Sequence, residues 1–227
     1  MSESTEVLET EIVIYCKIGN TEGLSKANKI EKHIQLDSSF IKKESSNKSS
    51  RCRVRQTTID NKDTYEFTFK VDTSTSEDIS GIEANKEFTV EVDKDFFEGF
   101  KSVAASKVIK TRYIFNSDNI YLTINEEDNK KVIEIPDIKY EVDIYTLEDQ
   151  TICEWAKIDV EIDNIINYLN THHPDIDNVK LNVRITHLPF DPTDPILCSE
   201  ATLEQKEFID ELWSKFNLPC NPEIIEK

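Results

Sequence analysis

Six stretches of this chain carry polar or charged side chains on alternate residues, and that alternation constrains the fold more than any other feature. They are Glu9-Thr-Glu11, Arg53-Val-Arg55, Glu66-Phe-Thr68-Phe-Lys70, Lys110-Thr-Arg112, Glu141-Val-Asp143 and Asp159-Val-Glu161. A spacing of two is the period of a β-strand, on which residues i and i+2 point to the same side. Each stretch therefore sends its charges to one side of a sheet and its apolar residues to the other. For one strand alone, the ordinary outcome is a half-wet sheet with the charges in solvent. Sorting by sign argues for more, because acid pairs stand at both ends of the strand-rich region and bases stand in the middle. A closed barrel with acids on one inner wall and bases on another would bind a metal-chelated polyphosphate.

The rest of the chain is organised around those strands. A first strand is expected over 7–18, and weaker helical character over 22–36, where Leu24, Ala27, Ile30 and Ile34 approach the spacing of a helix face. After a polar stretch at 42–50, strands are expected at 51–58 and 64–72, joined by a turn at Asp60-Asn61-Lys62-Asp63. A further strand at 86–92 leads into a helix opened by Asp93, with Phe96, Phe97, Phe100 and Val103 as its apolar positions. A meander follows at 108–115, 119–124, 131–135, 138–145 and 152–162. About nine strands in this region are enough to close a barrel that holds one small ligand. Beyond 162, helices are expected around Ile162, Ile165, Ile166 and Leu169 and over 203–216, separated by a proline-punctuated extended connection at 188–195. The division is a domain at 1–162 and a C-terminal helical extension at 163–227 that packs on the barrel or docks a protein partner.

Composition narrows the function classes. The 227 residues are 37% hydrophobic and 32% charged, as in a globular protein rather than a disordered one. A formal net charge of -18 argues against general nucleic-acid binding, which needs clustered Lys and Arg, yet it permits a local basic pocket. No apolar run approaches the roughly 20 residues that span a bilayer, and the start of the chain lacks the features of a signal peptide, so no membrane association and a cytoplasmic location are expected. Five cysteines with no CxxC or Cys/His ligand spacing read as free thiols.

If the charges converge, their chemistry is defined. Carboxylates two apart on a strand stand about 6.6 Å from each other and repel by roughly 2 to 3 kcal/mol at an effective dielectric of about 20. Glu9, Glu11, Asp159 and Glu161 in one cavity would raise their pKa values or bind a cation, and a hard ion such as Mg2+ suits carboxylates, water and phosphate oxygens. Arg53, Arg55, Lys70 and Arg112 would meet phosphate oxygens, the guanidinium groups in bidentate fashion. Attack of an oriented water on a terminal phosphorus would then need positioning and charge stabilisation above all, with Glu11 or Glu161 orienting or deprotonating the water. Lys110 could contact phosphate or pair with an acid in the wall. Glu83 and Glu87 could face either the site or solvent, His172-His173 reads as surface, and His33 and His187 have no partners readable from sequence.

Glu9-x-Glu11, Arg53-x-Arg55, Thr68-x-Lys70, Lys110-x-Arg112-Tyr113, Glu141-Val-Asp143-Ile-Tyr145 and Ile158-Asp159-Val-Glu161 occur in the order, and at about the spacings, of the CYTH superfamily, which residues 5–162 resemble. These triphosphate tunnel metalloenzymes include class IV adenylyl cyclases, thiamine triphosphatases and inorganic triphosphatases. The resemblance implies an α+β protein built on a closed antiparallel eight-stranded tunnel with flanking helices. It implies a triphosphate compound bound by Arg53, Arg55, Lys70, Lys110 and Arg112, and Mg2+ or Mn2+ held by Glu9, Glu11, Asp143, Asp159 and Glu161. Glu11 and Glu161 are then the catalytic candidates, and a monomer or homodimer the expected state. One departure matters: the family's first-strand signature is Glu-x-Glu-x-Lys, and Val13 stands at the third position. Two readings follow from it, a metal-dependent triphosphate hydrolase, or a non-catalytic binding or interaction protein that retains the tunnel.

Overall fold

The structure of the protein, a computed structural model, describes residues 5–38, 41–42, 49–72, 82–126, 129–146, 155–176, 181–185, 188, 192–197 and 207. Among these, the strands are β1 (Thr5–Ile18), β2 (Lys29–Asp37), β3 (Ile41–Lys42), β4 (Ser49–Ile59), β5 (Lys62–Asp72), β6 (Ile82–Glu91), β7 (Ser106–Glu126), β8 (Asn129–Thr146), β9 (Trp155–Glu161), β10 (Leu181–Ile185) and β11 (Pro192–Leu197). Two α-helices, α1 (Lys94–Phe100) and α2 (Asp163–His172), and a 3-10 turn at Leu24–Lys26 accompany them. The fold is α+β, mostly antiparallel sheet. The ladder runs β10, β7, β2, β4, β5, β6, β1, β9, β8, with β3 on β4, β11 on β1, and β8 also paired with β7.

Local chemistry sets the register. Asp60 and Asn61 have φ of 51° and 62°, the left-handed pair of a two-residue hairpin turn, so Ile59 faces Lys62 and Arg55 faces Glu66. The β7–β8 hairpin contains two offsetting irregularities. Phe115 pairs with Tyr140 and Asp118 with Ile138, which leaves one extra residue in β7; Ile120 then pairs with Ile135, which leaves one extra in β8. The second coincides with Pro136, which has no N–H to give the ladder, and with Asp137 at φ 59°. Because the two shifts offset each other, both halves of the hairpin keep one polar and one apolar face. The two expected strand pairs of the meander are thus two long strands of 21 and 18 residues.

The apolar face packs in two places. The larger core contains Ile12, Ile14, Ile135, Val142, Ile158 and Val160, covered by Ile165 and Leu169 of α2. Burying each such side chain contributes about 1.5 to 3 kcal/mol. The smaller core joins Leu36, Val54 and Phe97, with Tyr65 and Phe67 beside them. Helix α1 reaches it because Asp93 caps the helix, accepting from the Phe96 amide at 2.8 Å. Phe97 is the buried residue of that helix, whereas Phe96 and Val103 remain exposed.

One expected element is different. The helical character over 22–36 resolves into a single 3-10 turn at Leu24–Lys26 followed by β2. Ile30 and Ile34 are four apart, a spacing that fits a helix face and a strand face alike. Pairing with both β4 and β7 decides in favour of the strand. The C-terminal segment contributes α2 and also two strands, β10 on β7 and β11 on β1. Of the helix expected over 203–216, Glu207 alone lies within the described residues, and it is helical. Among the described residues no helix is long and apolar enough to cross a membrane. Cys16 and Cys52 are free thiols, and burial pushes Cys16 up to about 12; Cys153, Cys198 and Cys220 lie outside the described residues.

Candidate functional site

In an antiparallel ladder, directly paired residues lie on the same face. Following the pairings from strand to strand therefore collects the charged positions onto one face. On β4 and β5 Arg55 is opposite Glu66, and on β5 and β6 Lys70 is opposite Glu87. Across β2 and β4 Asp37 meets Arg53, and across β7 and β8 Arg112 meets Asp143. All four pairs close as ion pairs: Arg55 to Glu66 at 2.9 Å, Lys70 to Glu87 at 2.8 Å, Arg53 to Asp37 at 3.1 Å, and Arg112 to Asp143 at 2.8 Å. The register, set by turn chemistry and apolar packing, thus generates the charge network.

Asp143 is the hub. It is fully buried, receives two bonds from the Arg112 guanidinium, and is bonded by Lys110 as well. Burial alone would raise its pKa, but Arg112 and Lys110 outweigh that and hold the carboxyl well below the usual range. Arg112 also bonds Glu141 and lies 3.8 Å from Asp159, which Lys157 holds at 2.7 Å. Burial, then Arg112, draws Lys110 below the ordinary lysine value. Burial raises Glu141. Asp37 is likewise fully buried, and there Arg53 and Arg51, with the Gln35 amide at 2.6 Å, outweigh burial and bring the carboxyl down.

Arg55 differs from its neighbours. Its Nη1 donates to Glu66, but its Nε is buried and has no hydrogen-bond partner among the described residues. Burial, followed by the nearby Arg53 and Arg112, lowers its pKa from the guanidinium value. Glu66 and Asp143 offset part of that effect, and the buried Nε is left as a donor that can take one more acceptor.

The sequence candidates fall into place as follows. Arg53, Arg55, Lys70, Lys110 and Arg112 are on the charged face with Asp143 and Asp159, all with little exposure. Glu161 is at its rim, 54% exposed and bonded to Lys139 at 2.7 Å. Glu9 and Glu11 are on β1, and their side chains lie outside what is described; by register, position 11 is opposite both Glu161 and Glu83, and position 9 opposite Asn85. Val13 is buried, opposite Asp159. Lys17, opposite Trp155, is exposed, so it does not stand in for a lysine at position 13. Glu87 turns to the site through Lys70. His172 stacks on Tyr168 at the end of α2 with His173 tilted beside the same ring, and His187 lies outside the described residues.

Several site residues escaped the sequence reading. Strand β2 adds Glu31, His33, Gln35 and Asp37, and β9 adds Lys157. The signal was present in Glu31-x-His33-x-Gln35-x-Asp37, a two-residue alternation hidden by the helix-like apolar spacing. His33 Nε2 is 2.8 Å from Glu31. Burial lowers His33 to about 4, and the His33 hydrogen bond lowers Glu31 to about 2.

Among the described side chains no group of three His, Cys, Asp or Glu residues could hold a metal ion, since each acid of β8 and β9 on this face is paired to a Lys or Arg. The backbone register does, however, bring three acidic positions, 161, 11 and 83, directly abreast across β9, β1 and β6. Like charges abreast in a sheet are unfavourable without a counter-ion.

The chain matches no protein-family model and no curated protein. Solved structures match it at low similarity. HpAC1 from Hippeastrum, a candidate adenylyl cyclase with a dominant triphosphatase activity, is 10% identical with a TM-score of 0.41, over 79% of this chain and 91% of that one. PH1012 from Pyrococcus horikoshii OT3 is 16% identical with a TM-score of 0.38, over 95% and 99%. PH1819 from the same organism is 15% identical with a TM-score of 0.37, over 73% and 87%. At this level of similarity they assign neither a residue nor an activity to this chain.

Proposed function

We propose that the charged face is the inner wall of a CYTH-type tunnel that binds a triphosphate compound and hydrolyses its terminal anhydride with a divalent cation. The observation that carries this reading is the burial of five basic side chains on one face: Arg53, Arg55, Lys70, Lys110 and Arg112 expose between 7% and 17% of their side chains. Cations are seldom buried unless paired, and a network of buried pairs is weak support for stability, so a functional reason is favoured. Enclosure is supported by the pairings, since β7 meets β2 on one edge and β8 on the other.

The chain's own groups supply the binding. Arg53, Arg55 and Arg112 offer planar forks for phosphate oxygens, and Lys70 and Lys110 offer point charges. Glu66 and Glu87, the partly exposed carboxylates that balance Arg55 and Lys70, can be displaced by an incoming phosphate oxygen. Asp143, gripped by Lys110 and Arg112, acts as the anchor that holds both cations in place. The acids abreast at positions 11, 83 and 161, with Glu9 and Asp159, fit a hard cation and are the residues that would hold Mg2+ or Mn2+. When bound, such an ion neutralises phosphate charge and lowers the pKa of water. Glu11 or Glu161 would orient the attacking water.

Val13 favours a second reading, binding without turnover, because a buried valine stands opposite Asp159 where the family places a lysine. Phosphate release from inorganic triphosphate, thiamine triphosphate and nucleoside triphosphates, with Mg2+ or Mn2+, tests both beside calorimetry. Metal-dependent release that is lost in Arg53→Ala and Glu161→Ala supports hydrolysis. Tight binding with no release supports the second reading, and absence of binding to all of them overturns both.

A further inference from the structure

Apart from Asp159 Oδ1, which Lys157 holds as an ion pair, four buried polar atoms on the charged face have no hydrogen-bond partner among the described residues: His33 Nδ1, Gln35 Oε1, Arg55 Nε and Ser106 Oγ. They belong to three neighbouring strands. Gln35 is directly opposite Arg55 across β2 and β4, His33 is two residues before Gln35, and Ser106 on β7 is opposite Asp37. From His33 to Asp37 the strand advances about 13 Å. His33, Gln35 and Ser106 are 1%, 5% and 8% exposed, so bulk water does not satisfy them. An unmet buried polar atom is destabilising, and four together in one patch are rare in a folded protein.

Their donor and acceptor roles are fixed by their other contacts. Gln35 Nε2 donates to Asp37 Oδ2 at 2.6 Å, which leaves Oε1 as an acceptor. His33 Nε2 lies 2.8 Å from a Glu31 carboxylate oxygen, which can only accept, so Nε2 carries the proton. The ring is neutral near pH 7, since burial lowers it to about 4, and Nδ1 is therefore a bare acceptor. Arg55 Nε is a donor, and the Ser106 hydroxyl can take either role.

A bare polyphosphate does not match this set. Ionised phosphate oxygens accept hydrogen bonds and donate none, so they can serve Arg55 Nε but leave His33 Nδ1 and Gln35 Oε1 unmet. We infer that the patch formed by His33, Gln35, Arg55 and Ser106 is a recognition subsite for the organic part of the ligand, and that the ligand is a triphosphate ester bearing N–H or O–H donors, such as a nucleoside triphosphate. This rests on the tunnel reading above and extends it from the phosphate chain to its substituent. Arg55 sits at the junction, with Nη1 on the carboxylate to be displaced and Nε in the subsite.

Calorimetry of the full chain with ATP, GTP and inorganic triphosphate, at matched Mg2+ and salt, tests the inference. At least one nucleotide is expected to bind about tenfold or more tightly than inorganic triphosphate, because it meets acceptors otherwise left unpaired. Gln35→Met and Ser106→Ala, which keep side-chain volume, are expected to narrow that ratio severalfold. Equal affinities of the unsubstituted protein for all three would overturn the subsite while leaving the tunnel reading intact. Failure of all three to bind would overturn both. Because the comparison between ligands needs no variant, it stands even where a substitution unfolds the chain.

Discussion

Val142 and Asp143 are neighbours on β8, both with no exposed surface, and they are buried for opposite reasons. Val142 packs among Ile14, Ile158 and Val160, where removal from water is itself favourable. Asp143 is on the other side of the same strand, where removal from water is costly and only Lys110 and Arg112 make it tolerable. One alternating sequence thus builds a face that stabilises the fold and a face that holds charge in readiness. The two faces should respond differently to truncation, pH and ligand.

The largest contrast lies at Asp143. Asp143→Ala leaves Lys110 and Arg112 buried without their shared counter-ion and should destabilise by about 3 to 5 kcal/mol, read from urea unfolding. Triphosphate should restore part of that loss, because it supplies the missing negative charge. On the apolar face, Ile158→Ala should cost about 3 kcal/mol through lost burial and a cavity, and triphosphate should restore none of it. Equal rescue of both variants would erase the distinction between the faces.

Acid should act on the charged face first. The folded-state pKa of His33 is about 4 against an ordinary 6.5, so the unfolded chain takes up the proton first and stability falls as pH drops from 6.5 to 4. Glu31, held at about 2 against 4.5, adds a further loss between those two values. The His33 contribution alone is about 3 kcal/mol at 1.36 kcal/mol per pKa unit. His33→Gln should flatten stability between pH 6.5 and 4, and an unchanged profile would show that the ring is not buried as described. The smallest effect belongs to an exposed pair: Lys101→Ala, which removes a 2.6 Å contact to Glu98 on α1, should change stability by about 0.5 kcal/mol or less. A comparable cost for the exposed and buried pairs would mean that burial is not what gives the charged face its weight.

These differences also explain what could be read from the chain beforehand. Period-two charge at Arg53 and Arg55 or at Glu141 and Asp143 is a local property, and so is the Asp93 cap, so strands and helix starts were legible there. Strand β2 was not, because Ile30 and Ile34 fit two periods and only pairing with β4 and β7 chooses between them. The counter-ions were hidden for the same reason. Glu66 belongs to Arg55, and Asp37 to Arg53, only once the ladder is in register. Asp143 is a metal ligand by resemblance, and only the fold adds that it grips Lys110 and Arg112. Sequence patterns identify which side a residue takes; which residues meet across strands is a product of folding.

The most direct test is a crystal structure of the protein with triphosphate and Mn2+. The account predicts phosphate oxygens within hydrogen-bond distance of Arg53, Arg55 and Lys70, with resident carboxylates such as Glu66 and Glu87 moved aside, and the ion near positions 11 and 161. A structure in which those three basic side chains extend into bulk solvent, with the ligand elsewhere or absent, would contradict it.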